Sequence, residues 1–133
     1  MKQEMIITLQ DGLKVNAEYK GFTIKTDQPK HQDGEASAPT PFDLFLTSIG
    51  TCAGIYTVLF CKERKIPYEN IRLIMRTERN IDTKTIDRFI LDIQLPADFP
   101  DKYRDALIRS VNLCSVKKTI EAKPKFSVTT QKP

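Results

Sequence analysis

Two cysteines, Cys52 and Cys114, are the side chains whose type and setting suggest chemistry in this chain. Cys52 stands within eighteen residues that carry no charge, from Leu44 to Cys61, and Cys114 lies far downstream. A thiolate is a nucleophile that can be oxidised reversibly to a sulfenic acid or a disulfide. The two positions therefore suggest a buried cysteine pair that meets in the fold.

Each cysteine also has a purely structural interpretation, because free cysteine is among the most buried residue types. Cys52 could be a small core residue, and Cys114 could belong to the inner stripe of a helix. Cys61 follows Cys52 by nine residues, which is about 180° round a helix, so we expect it outside the site. Three cysteines without a CxxC pair indicate neither a secreted disulfide framework nor a zinc site, and a reducing cytoplasm is expected.

The segment that carries Cys52 has the signals of a long helix, predicted from Pro41 to Lys62. Thr40 can cap the helix, Pro41 suits its first position, and Asp43 stands where a carboxylate can bond back to the cap. The segment is long enough to cross a membrane, but its threonines and glycines lower its hydropathy. A helix buried in a core or at a subunit interface is the favoured interpretation.

The rest of the chain alternates like a sheet, except for a helix from Tyr103 to Cys114. The predicted strands are Met5–Leu9, Leu13–Tyr19, Phe22–Ile24, Ile71–Arg76, Phe89–Leu95 and Phe126–Thr129. We also expect Cys114 near a break at Asn112 and Leu113, where the N-terminus of a following helix would favour its thiolate. Strands and helices thus segregate as in an α+β architecture.

Composition limits the remaining possibilities. The 133 residues predict one domain over 1–133, and the net charge of +4 is spread over interspersed lysines and acids. There is no basic arm or aromatic RNA-binding pattern in the sequence, so we expect no nucleic-acid partner.

Two motifs carry a resemblance to a known family. The string from Pro41 to Cys52, PFDLFLTSIGTC, resembles the helix motif of the OsmC/Ohr family of thiol peroxidases, and CSVKKTI from Cys114 to Ile120 is similar to that family's second-cysteine motif. The resemblance implies an OsmC-like fold: antiparallel sheets around a long buried central helix, in an intertwined homodimer. Such a partner would cover the face of the apolar helix that a single domain of this size leaves exposed.

The activity implied by the resemblance is reduction of small organic hydroperoxides by a two-cysteine cycle. Cys52 would be oxidised to a sulfenic acid, Cys114 would condense with it to a disulfide, and an external thiol or dithiol would restore both. Asp43 occupies the position of the family's glutamate, which holds an arginine of the N-terminal strands. No cofactor is implied, whether metal, haem or flavin.

The sequence departs from that family in its cation, because there is no arginine before Arg64. Lys14, Lys20, His31 or an arginine of a second subunit are the candidate substitutes, although a histidine in a polar loop is more often simply solvated. The alternative interpretation is a non-catalytic dimeric stress-response protein that keeps the fold and binds an apolar ligand.

Overall fold

The computed structural model describes residues 4–133, which form two compact units that divide after Thr47. The first unit contains three strands, β1 (Ile6–Leu9), β2 (Val15–Tyr19) and β3 (Phe22–Thr26), in one antiparallel sheet with β2 in the middle. The hairpin predicted at Gln10–Gly12 is confirmed, since the Gln10 N–H donates to the Lys14 carbonyl at 2.9 Å. The prediction of a single domain remains a prediction.

A buried carboxylate organises the loop after β3. Asp27 is 1% exposed, and it accepts hydrogen bonds from the Ser37 hydroxyl at 2.6 Å and the Ser37 N–H at 3.0 Å. These bonds, with one from the Gln28 N–H, outweigh burial and lower the pKa of Asp27 from 3.8 to about 2. Asp27 therefore holds the two ends of the loop together as an anion.

The long helix, α1, runs from Pro41 to Glu63, within one residue of the prediction. Its start is a reciprocal cap. The Thr40 N–H donates to Asp43 Oδ2 at 3.0 Å, and the Asp43 N–H donates to Thr40 Oγ1 at 3.1 Å. Two of the backbone donors that a helix N-terminus leaves without partners are thereby satisfied.

The second unit, from Ser48 onward, adds a hairpin and two short helices to the rest of α1. Strands β4 (Arg72–Arg79) and β5 (Ile86–Gln94) pair antiparallel, as predicted. Helices α2 (Arg104–Val111) and α3 (Ser115–Glu121) follow. The buried members of the core are Ala53, Phe60, Cys61, Phe99, Leu107 and Val111.

In the second unit only one stripe of α1 is buried in the single chain. Its buried residues are Ile49, Ala53, Thr57, Phe60 and Cys61. Ile55 and Leu59, on another face, are 50% and 55% exposed. The expectation that the single chain leaves part of this apolar helix uncovered is met. By length and composition α1 could also cross a membrane, but a core helix passes the same test.

The predicted last strand, Phe126–Thr129, is wrong for this structure. The segment forms no strand within the described residues, and Phe126 and Val128 are 94% and 91% exposed. Alternation alone does not make a strand, because the backbone groups also need a neighbouring strand to pair with.

Candidate functional site

The structure brings the two predicted cysteines together. Cys52 lies on α1, half-buried, and Cys114 lies between α2 and α3, where it is 2% exposed. Both thiols are free, and hydrogen bonding between them lowers the pKa of Cys52 and raises the pKa of Cys114. The two side chains are therefore neighbours, as a disulfide between them would require.

The break between α2 and α3 positions Cys114. Leu113 and Cys114 donate their N–H groups to the carbonyls of Ser110 and Val111, at 3.0 and 3.1 Å, and so close the end of α2. Cys114 then departs from helical geometry, with φ −47° and ψ 128°, and its carbonyl accepts from the Lys118 N–H at 3.0 Å in the first turn of α3. The predicted break is confirmed, and α2 ends at Val111 before it reaches Cys114.

Cys52 is the more acidic thiol of the pair. Burial raises its pKa, but four hydrogen bonds together outweigh burial and lower it: the Cys114 thiol, the Val116 N–H, and the Ser115 hydroxyl and N–H. The Ser115 oxygen lies 3.9 Å from the Cys52 sulfur. Cys52 therefore has the electrostatic setting of a nucleophile.

The prediction that the N-terminus of the following helix would favour a Cys114 thiolate is wrong, because the pKa of Cys114 is raised. Burial raises the pKa of Cys114, and so does the hydrogen bond it donates to Cys52, while the N–H groups of Lys117 and Val116 offset only part of the increase. The first N–H groups of α3, those of Ser115 and Val116, stabilise the Cys52 thiolate. Cys52 therefore ionises at a lower pH than Cys114.

Ser115 is the residue that sequence reasoning missed. Its carbonyl accepts from Thr119 Oγ1 at 2.8 Å, so its backbone belongs to α3 while its hydroxyl approaches Cys52. A serine at the first position of a helix directly after a cysteine was the available signal.

Cys61 lies apart from the pair. It is 0% exposed and belongs to the core, as its helical phase predicts. Burial raises the pKa of its thiol, and the charge of Arg64 offsets a part of that. A protonated thiol in the core has a packing role.

Asp43 acts in the structure as the cap of α1, two and a half turns before Cys52 in sequence. Its predicted role in orienting a cation remains a prediction.

The candidate cations of the N-terminal segment lie in the first unit. Lys14 forms ion pairs with Glu35 and, at 3.2 Å, with Asp11, and these two carboxylates raise its pKa. Lys20 lies over the Tyr19 ring, 5.2 Å from its centroid, and His31 is exposed in a short 3-10 helix, Lys30–Gln32. A role for any of the three in place of the missing arginine stays a prediction.

A pocket of about 500 Å³ adjoins Cys114 in the second unit. Its wall is mostly apolar and includes Cys114 together with residues of α1, β5, α2 and α3. Over residues 4–133, no three acidic, histidine or cysteine side chains cluster closely enough to hold a metal ion. The acidic thiol of Cys52 and the pocket at Cys114 support thiol chemistry beside an apolar cavity.

Comparison with known proteins gave one family match and several structural neighbours. A family model described as OsmC-like protein matches residues 33–129. A protein from Psychrobacter arcticus 273-4, with a proposed role in osmotic stress and detoxification, superposes with a TM-score of 0.73 at 20% identity, covering 90% of this chain and 88% of that one. An OsmC-like protein from Mycoplasma pneumoniae gives 0.71 at 16% identity, with coverages of 92% and 89%.

An organic hydroperoxide resistance protein from Legionella pneumophila gives a TM-score of 0.55 at 17% identity, covering 88% of each chain. At these identities the likeness shows the fold alone. The comparison with curated proteins gave no significant match.

Proposed function

This chain belongs to the OsmC-like protein family, and from that premise we propose that it is a thiol-dependent peroxidase that reduces organic hydroperoxides. The observation that carries the proposal is the contact of Cys52 with Cys114, in which Cys52 has the lowered pKa. The name of the Legionella protein, which refers to organic hydroperoxides, supports the substrate class. The free thiols fit a cytoplasmic location.

The first step is attack of the Cys52 thiolate on the peroxide O–O bond. One oxygen is transferred to sulfur, which gives a sulfenic acid, and the other leaves with the organic group as an alcohol after it takes up a proton. The Cys114 thiol then attacks the Cys52 sulfur, water leaves, and a disulfide forms. Because the pKa of Cys114 is raised and that of Cys52 is lowered, Cys52 is the better placed of the two to react with the peroxide as a thiolate.

Preference for an organic substrate follows from where Cys52 lies on its helix. Ile55 and Leu59 follow Cys52 by three and seven residues, so the three share one face of α1. This face is apolar and exposed in the single chain. An alkyl or aryl group held beside Cys52, between this face and a second copy that covers it, would be removed from water, whereas hydrogen peroxide has nothing to bury.

The same face supports a homodimer, in which a second copy covers Ile55 and Leu59. We expect Leu59→Glu to shift the protein to monomer at micromolar concentration, because a charge at a closed apolar interface is costly. Ile81→Glu is the matched control, since Ile81 is 91% exposed in the loop between β4 and β5. Sedimentation analysis measures the result; a wild-type monomer would contradict the homodimer.

The test of activity is hydroperoxide consumption with a dithiol reductant, using cumene hydroperoxide and hydrogen peroxide. We expect faster turnover of cumene hydroperoxide and no turnover by Cys52→Ser, because a serine hydroxyl is not ionised at neutral pH without an adjacent base. Cys114→Ser should permit one oxidation of Cys52 and no disulfide. Cys61→Ala is the control, with turnover retained. Equal, slow rates for wild type and Cys52→Ser would refute the proposal.

The second candidate function is a non-catalytic stress-response protein that binds an apolar ligand. The absence of an arginine before Arg64 favours it, as does the apolar pocket. Such a protein would show no rapid oxidation of Cys52 at low peroxide. The kinetic experiment on wild type and Cys52→Ser therefore separates the two functions.

A further inference from the structure

A second pocket of the second unit lies beyond the C-terminal end of α1, and we call it the Arg64 pocket. Its volume is about 330 Å³, at the small end of the range of small-molecule sites, about 300–1,000 Å³. Its wall comes from residues that directly follow α1 and from residues between Pro96 and Tyr103, after β5. Within residues 4–133 it shares no lining residue with the pocket at Cys114. A ligand here would therefore not touch the cysteine pair.

The lining of the Arg64 pocket carries an excess of positive charge. Three bases, Arg64, Lys65 and Lys102, and one acid, Asp98, are among the described residues that line it. The pocket at Cys114, in contrast, has two acids and two bases. An excess of positive charge in a concave site attracts anions, and most strongly a dianion.

The cations of this pocket are not neutralised by the protein itself. None of the ion pairs among residues 4–133 involves Lys65 or Lys102. Lys102 lies over the Tyr103 ring instead, 5.1 Å from its centroid. Arg64 contacts Glu63 at 3.7 Å, but the Glu63 side chain is 81% exposed, and such surface pairs contribute little. An anion in the pocket would gain contacts that acidic side chains do not already provide.

The Arg64 guanidinium is held in place with donors to spare. Its central carbon lies 3.7 Å from the centroid of the Phe60 ring, and its Nη1 donates to the Phe60 carbonyl at 3.2 Å. The Glu63 carboxylate also contacts Nη1. Among residues 4–133, Nη2 and Nε have no hydrogen-bond partner. A planar guanidinium can present such donors to two oxygens of one phosphate group.

The rest of the wall is mostly apolar and rich in rings. Its apolar and aromatic members are Ile66, Pro67, Pro96, Phe99, Pro100 and Tyr103. Phe99 is buried and Tyr103 half-buried, and proline loses no side-chain entropy when its surface is covered. A flat apolar group bound against this wall would be removed from water at a small entropic cost.

We propose that the Arg64 pocket binds a small phosphate monoester with an aromatic body. A phosphate monoester carries a charge of about −1.5 to −2 at pH 7, which suits a lining of three bases and one acid. Arg64, Lys65 and Lys102 hold the phosphate oxygens, and the apolar wall covers the ring. The proposal is independent of the peroxidase activity, because the site contains neither Cys52 nor Cys114.

The experiment measures binding of phenyl phosphate to the wild-type protein by isothermal titration calorimetry at neutral pH and fixed ionic strength. Inorganic phosphate and phenol are the partial probes, one for the charge and one for the ring. We expect phenyl phosphate to bind at least about tenfold more tightly than inorganic phosphate, because burial of about 55 Å² of the ring is sufficient for that factor. Phenol should bind at least about tenfold more weakly than phenyl phosphate, because it lacks the charge-assisted contacts.

Two outcomes of these titrations would overturn the proposal. One is no binding of phenyl phosphate at millimolar concentration. The other is binding of either partial probe as tight as that of phenyl phosphate, since the charged and apolar parts of the pocket would then not act on one ligand.

Two lysines with the same backbone geometry give a matched pair of variants. Lys65 and Lys84 have left-handed φ angles of 56° and 60°, and Lys84 lies in the loop between β4 and β5, outside the pocket. Glycine adopts such angles without strain, so Lys65→Gly and Lys84→Gly each remove one positive charge and should keep the fold. We expect Lys65→Gly to weaken phenyl phosphate binding about tenfold, the effect of one charge-assisted hydrogen bond, and Lys84→Gly less than about twofold. Equal effects of the two would overturn the proposal, and the wild-type titrations do not rely on either variant.

Nuclear magnetic resonance locates the bound ligand. On titration with phenyl phosphate, the backbone amide shifts should change most at Arg64, Lys65, Phe99 and Lys102, and little in α3, beside the cysteine pair. The largest changes in α3 would place the ligand in the pocket at Cys114 and would overturn the proposal.

Discussion

Asp43 has two candidate roles, as the cap of α1 and as the orienter of a cation, and two substitutions separate them. Asp43→Ala removes the acceptor of the Thr40 N–H and the negative charge at the helix N-terminus. Asp43→Asn keeps an oxygen acceptor and removes only the charge. Both variants therefore lose the charge, but only Asp43→Ala also loses the capping acceptor.

The magnitudes follow from the structure. Loss of a capping side chain costs about 1 kcal/mol, and the interaction of a charge with the helix dipole is worth about 0.3–1 kcal/mol. For 133 residues, an unfolding entropy of about 2.1 cal/mol/K per residue makes 1 kcal/mol equal to about 3–4 °C in Tm. We expect Asp43→Ala to lower Tm by about that amount or somewhat more, and Asp43→Asn by less.

The assay is thermal unfolding by circular dichroism at one protein concentration, together with hydroperoxide turnover. Thr40→Ala should lower Tm by less than Asp43→Ala, because it removes one of the two bonds of the reciprocal cap and keeps the carboxylate charge. Asp98→Asn, in an exposed loop after β5, is the control for loss of a charge. If Asp43→Asn lost turnover at unchanged Tm, the cap would not be the main role of Asp43, and the orienter would be.

Two further predictions concern pH. Asp27 has a pKa of about 2 when folded against about 3.8 when unfolded, so its anion stabilises the fold above about pH 4, and this contribution is lost as the pH falls toward 2. In urea unfolding, the free energy of unfolding of wild type should therefore fall more steeply over that pH range than that of Asp27→Asn. Parallel curves for the two proteins would contradict the assignment. Iodoacetamide should modify Cys52 at a lower pH than Cys61 or Cys114, because the pKa of Cys52 is lowered and those of the other two are raised. Peptide mapping identifies the labelled cysteine, and labelling of Cys114 at a lower pH than Cys52 would contradict the proposed order of acidity.

The local elements of this fold were readable from sequence because their signals are local. Thr40, Pro41 and Asp43 mark the start of α1 within one turn, and the alternation in β4 and β5 reflects one half-buried face. The segment at Phe126 misled because its pattern describes which side chains could be buried. Pairing depends on a strand elsewhere in space, which a local pattern does not contain.

The members of the site could be predicted from local signals, but the order of acidity of its two thiols could not. The two motifs brought Cys52 and Cys114 together, and the phase of the helix set Cys61 apart. Which thiol receives the N–H groups of α3 depends on the path of a two-residue break at Asn112 and Leu113. That path is a tertiary property, so the acidity order of the pair was not readable from the motifs.

Because Cys61 is fully buried, its reactivity reports how often the core opens. A thiol with no exposed surface can react with a labelling reagent only while the surrounding structure is open. When closing is faster than labelling, the observed rate is the rate for a free thiol multiplied by the opening equilibrium constant. An opening free energy of about 5 kcal/mol would slow modification several thousandfold. Labelling of Cys61 therefore measures the stability of the core where α1 meets α2 in the native protein, without denaturant and without an introduced cysteine.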